Sequence, residues 1–128
     1  MARVTYALLA IALALFFAFV GGNKVLASIP DLAAHHAWTV WLPEWLGRAV
    51  GVSELLCALG LLAGIRTDWR PWGRIAAGVL VINQIVAGAV HILHGEASAL
   101  PQNGVLIAMA LMACVLASNN CKRESVNG

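Results

Sequence analysis

The chain has 128 residues and a net charge of +2, with 61% hydrophobic and only 11% charged residues, against about 25% charged in an ordinary soluble domain. A bilayer is the implied solvent, and the apolar runs leave no room for a second, soluble domain. No basic patch with interleaved aromatics suggests a nucleic-acid partner, and Cys57, Cys114 and Cys121 show neither a C-x-x-C pair nor metal-ligand spacing, so no disulfide framework, thiol-redox motif or metal site is readable.

The expected fold is all-α: a single domain over 1–128 forming a four-transmembrane-helix bundle, with short interfacial helices in the first outer loop. A span needs about 20 mostly apolar residues, and four segments fit: Val4 to Gly22, Leu46 to Ile65, Trp72 to Leu93 and Leu100 to Ser118. The first, with Arg3 before it and Val25-Leu26-Ala27 after it, also fits a signal peptide, in which case three spans would remain. Lys24 caps its outer end.

The first loop, "SIPDLAAHHAWTVWLPEWLGR", is too apolar for a solvated linker. Its Trp38, Trp41 and Trp45 favour the headgroup level, and their spacing predicts one or two short helices on the outer surface. The loop is either a lid, with Trp41 and Trp45 touching a ligand, or a plain interfacial anchor. His35, His36 and His94 are expected to be exposed.

In the second span, "GRAVGVSELLCALGLLAGI", Gly47, Gly51, Glu54 and Ala58 follow one helical face. Small residues there admit a close neighbouring helix, so Glu54 points at protein rather than lipid. Gly60 and Gly64 repeat the spacing, and such faces also suit association between copies. In the third span, "GRIAAGVLVINQIVAGAVHILHGE", Gln84 and His91 share a face with Ala77 and Gly88, while Asn83, rotated by about 100°, is expected to meet a different neighbour. The fourth span opens "PQNGVLIAMALMA", with Pro101 in the first turn, where its missing N–H is harmless.

Basic residues divide six to two: Arg3, Arg66, Arg70, Arg74, Lys122 and Arg123 against Lys24 and Arg48. Basic residues accumulate on the cytoplasmic side, which places both termini inside, in the cytoplasmic membrane of a bacterium. Lys24, Glu54, Gln84, His91 and Asn103 then converge in the outer half of the bundle, whereas the inner half offers few polar side chains. Ionisable groups inside a membrane cost several kcal/mol unless paired, and mark functional sites. Glu54 and His91 are the candidate proton-transfer residues; Lys24, Gln84, Asn103, Trp41 and Trp45 are the candidate ligand contacts. The structural alternatives are an ion pair of Glu54 with Lys24 or Arg48, interhelical glue for Asn83 and Gln84, and snorkelling for Lys24.

The second- and third-span motifs, "PQNGVLIAMALMA" and the "GGNKVL" after the first span, in this order and spacing, resemble the DoxX-like family of small four-helix membrane proteins. The resemblance implies a four-helix integral membrane fold and a redox association, since the family includes relatives of the membrane subunit of thiosulfate:quinone oxidoreductase. Lys24, Glu54, His91 and Asn103 fit its polar pattern.

The leading expectation is a redox-associated membrane subunit whose outer pocket contacts a quinone or another isoprenoid lipid. The chain has no electron-carrying motif, so a soluble or membrane redox partner would supply electrons. One alternative is a self-contained acid–base enzyme, an isomerase or epoxide-opening type, acting on a lipophilic substrate, which needs only two positioned groups. Another is a non-catalytic assembly or accessory protein. Bis-histidine haem would need a second histidine at the depth of His91, and none is evident.

Overall fold

The four apolar runs become four long helices in the computed structural model, which describes residues 1–127 and the side chains of residues 1–119; the side chains of Cys121, Lys122 and Arg123 lie outside that set. The helices are α1 (Ala2–Leu26), α3 (Glu44–Ala63), α4 (Arg70–Leu93) and α5 (Leu100–Asn127), with a short α2 (Ile29–Ala34) in the first loop. Single 3₁₀ turns cover Trp38–Trp41, Thr67–Trp69 and Ala97–Ala99, and no strand occurs among the described residues. All four long helices are long and apolar enough to cross a membrane.

Local chemistry sets the ends. Glu44 follows Pro43 and opens α3 two residues ahead of Leu46, its carboxylate suited to the helix N-terminus. Arg70 opens α4 with Pro71 in the first turn, a position that needs no N–H. At the end of α1 the Arg48 guanidinium donates through Nη1 to the Lys24 and Ala27 carbonyls, 2.7 Å each, and through Nη2 to Glu44 at 3.0 Å. It thereby satisfies carbonyls that a helix end leaves without partners.

α1 packs on α3 and α5, and α4 packs on the same two, so the order around the bundle is α1, α3, α4, α5. The inward stripe of α1, Tyr6, Ala10, Leu13 and Phe17, meets Leu61 of α3, Ala77 and Leu80 of α4, and Ala110, Ala113 and Ala117 of α5. Leu8, Leu15, Phe19, Leu56, Leu59, Ile82 and Val105 stand exposed on the outside. Water would not tolerate so large an apolar surface; lipid would. The chain is an integral membrane protein.

Because lipid tails are as apolar as leucine, the helices associate through close packing at small residues. A Cβ on Gly51 would lie 2.8 Å from the Gly21 carbonyl oxygen and 2.8 Å from Lys24 Cβ, and one on Gly21 would lie 2.8 Å from the Gly51 oxygen. This reciprocal approach presses α1 onto α3 where Lys24 meets Glu54. At the other end Gly64 and Gly73 face each other beneath Tyr6, whose hydroxyl donates to the Leu61 carbonyl at 3.1 Å. Gly51→Ala is therefore expected to destabilise the detergent-solubilised protein by about 1–3 kcal/mol through overpacking. Gly22→Ala, with nothing within 4 Å of the added Cβ, is expected to stay within about 0.5 kcal/mol. Equal thermal shifts for the two variants would contradict the packing argument.

Candidate functional site

Apart from Arg70, the buried polar groups among the described residues cluster at the end of the bundle that carries the first loop. Lys24 Nζ donates to Glu54 Oε1 at 2.6 Å, with the two side chains only 3% and 1% exposed. Asn83 Nδ2 donates to the same oxygen at 2.7 Å. Asn83, about 100° from the face of Gln84, thus meets a different neighbour, and that neighbour is Glu54. Both positions turn inward because α4 packs on α3 along one side and on α5 along the other. Glu54 Oε2 is buried without a hydrogen-bond partner. Arg48, the other cation considered for Glu54, is occupied at the end of α1.

Beside this pair lies a cavity of about 720 Å³ between α1, the first loop, α4 and α5. Its polar wall is Lys24, Gln84, His91 and Asn103; its apolar wall is Phe16, Val20 and Leu106; Leu32, His36 and Trp38 roof it. Exposed Phe19, Asn23 and Gln102 form part of the lining, so the cavity opens on the α1–α5 side. Glu54 does not line it. Lys24 stands between, within 5.4 Å of the Trp38 ring centroid, a cation–π distance. Lys24 is thus the member of the pair that lines the cavity, and the Glu54 carboxylate neutralises it from behind.

His91 is placed by the turn that ends α4. Gly95 takes φ 73°, the Gly95 N–H donates to the Ile92 carbonyl at 3.2 Å, and the Glu96 N–H donates to the His91 carbonyl at 2.8 Å. This is the glycine-terminated helix end known as the Schellman motif. It folds Glu96 back so that Oε2 sits 2.8 Å from His91 Nδ1. The hydrogen bond from His91 holds the Glu96 carboxyl below the usual carboxylate range, with further contributions from Trp41 and His36.

The first loop closes over the site as a roof. Ser28 caps α2 by accepting from the Asp31 N–H, with Pro30 in the first turn. His36, in the left-handed region at φ 52°, turns the chain into Trp38–Trp41 and brings its Nδ1 to 3.7 Å from Glu96 Oε1. Trp41 stacks on His94, with ring centroids 4.0 Å apart. Trp41 and Trp45, expected as ligand contacts, do not line the cavity; Trp45 is 71% exposed. Trp38 is the tryptophan that lines it, and Thr39 packs closely on Gly47, where an added Cβ would lie 3.3 Å from it.

The structure brings Lys24, Gln84, His91 and Asn103 to one cavity, sets Glu54 behind them, and leaves Trp45 outside. Sequence reasoning passed over Trp38 as a lining residue, and counted Arg70 only among the cytoplasmic basic residues. Arg70 is in fact buried, its guanidinium 5.9 Å from the Tyr6 ring centroid at the opposite end of the bundle.

Fold and site together define a four-helix integral membrane protein with a cavity polar on one wall and apolar on the other. Residues 8–113 match the model of the DoxX-like family. The chain belongs to that family. No curated protein and no solved structure matches it.

Proposed function

We propose that this DoxX-like protein is a membrane subunit that binds a quinone or a related isoprenoid lipid in the α1–α5 cavity. The observation that carries the reading is the make-up of that cavity: a neutralised lysine, an amide from each of two helices and a histidine face aromatic and aliphatic side chains. Ligand sites generally combine an apolar lining with a few placed polar groups. Because Glu54 balances Lys24, the polar wall suits a neutral headgroup bearing carbonyl or hydroxyl oxygens. The opening beside Phe19 suits entry from lipid.

Interconversion of a quinone and its quinol moves two electrons and two protons. The electrons are exchanged with a redox partner, soluble or membrane-bound, and the protons pass through His91, whose imidazole can both take up and release a proton. Titrating the protein in mild detergent with a short-chain ubiquinone is expected to quench tryptophan fluorescence saturably, because Trp38 lines the cavity. Quenching that grows linearly with quinone, as simple partitioning would give, would overturn the reading.

The His91–Glu96 pair favours one second reading, a self-contained acid–base enzyme on a lipophilic substrate. Turnover by the purified chain without a redox partner would select it. In either case both termini lie in the cytoplasm of a bacterial cell and the roofed cavity faces outward, following the distribution of basic residues. A cysteine introduced at Ser98, which lines the cavity, is then expected to react with an impermeant thiol reagent in intact cells. Protection at that position would reverse the orientation.

A further inference from the structure

We propose that Glu96 is a positioning residue that fixes His91 as a proton acceptor toward the cavity, so that the ligand bound there carries a hydroxyl. The inference rests on the cavity being the ligand site, as argued above, and adds what the ligand must present.

An ionised carboxylate only accepts hydrogen bonds. With Glu96 Oε2 at 2.8 Å from His91 Nδ1, the neutral imidazole therefore carries its hydrogen on Nδ1, and Nε2 keeps its lone pair. Among the described residues no protein group bonds Nε2, while His91 lines the cavity. A hydroxyl of a hydroquinone, phenol or enol supplies the donor that this nitrogen lacks; a carbonyl does not. Transfer of that proton breaks the ligand O–H bond, forms N–H at Nε2, and leaves an imidazolium held against the Glu96 carboxylate. The proton has a way out, because Glu96 Oε1 lies 3.7 Å from Nδ1 of His36, which is 75% exposed.

The other titratable groups near this pair are accounted for. His94 of α4 stacks on Trp41 and bonds the Val90 carbonyl through Nδ1. Lys24 of α1 and Glu54 of α3 are engaged with each other. From the first loop Asp31 and His35 line the cavity, and His35 Nδ1 is 2.8 Å from the Asp31 carbonyl. α5 contributes Asn103, Gln102 and no titratable group to the lining.

The test uses the full chain in mild detergent, with ¹⁵N-labelled histidine and His91 assigned from a His91→Gln variant. At neutral pH the wild type is expected to show His91 protonated at Nδ1, and Glu96→Ala is expected to show it protonated mainly at Nε2. In parallel, Glu96→Ala is expected to weaken binding of a short-chain ubiquinol about tenfold, the loss of one hydrogen bond. Binding of the matching ubiquinone should stay within about twofold. A fold defect would weaken both ligands alike. The proposal fails if His91 of the wild type carries its hydrogen on Nε2, if Glu96→Ala leaves the tautomer unchanged, or if both ligands weaken equally. A protein whose His91 follows Glu96 but binds neither ligand keeps the positioning role and loses the quinone reading and the hydroxyl requirement.

Discussion

Lys24→Met is expected to destabilise the protein by about 3–5 kcal/mol, the cost of stranding one partner of a buried ion pair, and to abolish ligand binding. Glu54, 1% exposed, would then have Asn83 as its sole remaining partner. Lys24 also forms part of the polar wall of the cavity and sits beside the Trp38 ring, so its loss removes a ligand contact as well as a countercharge. Substitutions at the partner separate the two effects. Glu54→Gln keeps hydrogen-bonding capacity and loses the charge that neutralises Lys24, so it should remove function with less damage to folding than Glu54→Leu. Leucine leaves both Lys24 and Asn83 without an acceptor, and a buried donor stranded in this way costs about 1–3 kcal/mol or more. Thermal unfolding in detergent ranks the variants. The account predicts Lys24→Met and Glu54→Leu as the least stable, with Glu54→Gln between them and the wild type; a Lys24→Met protein as stable as the wild type would remove the pair from the architecture.

Val20→Trp is expected to reduce ligand binding tenfold or more while leaving stability within about 1 kcal/mol. Val20 lines the cavity one helical turn from both Phe16 and Lys24, and it is only half-buried. An indole placed there extends into open space rather than into a packed core, which is where overpacking becomes costly. The quinone titration reads the first effect and thermal unfolding the second. Undiminished binding in this variant would move the ligand elsewhere.

The helices were legible because a span in lipid must be about 20 residues of apolar side chains, a signal that no tertiary contact can override. The polar convergence was legible for a related reason: Lys24, Glu54, Gln84, His91 and Asn103 all fall in the same half of the bilayer, which offers such groups few places except one another. Which helices are neighbours was harder to read. Asn83 was given a different neighbour from Gln84 because adjacent residues on a helix face different directions, but that the neighbour is Glu54 follows only once α4 has protein on two sides, α3 and α5. Depth alone also put Glu54 in the pocket, although side-chain length decides the matter. Lys24 lines the cavity and stands between it and the carboxylate. The role of Glu96 was written locally, in the His94-Gly95-Glu96 turn, where a glycine two residues past a helix end folds the chain back on itself. The choice of Trp38 over Trp41 and Trp45 depends on the turn at His36, a left-handed residue that the Trp spacing does not reveal.

The claim that the α1–α5 cavity holds a neutral lipophilic molecule is tested most directly by mass spectrometry of small molecules that copurify with the protein in mild detergent. The account predicts an isoprenoid quinone or quinol retained by the wild type and depleted at least tenfold in Val20→Trp, at equal amounts of folded protein. Equal recovery from both proteins, or no isoprenoid from the wild type, would contradict it.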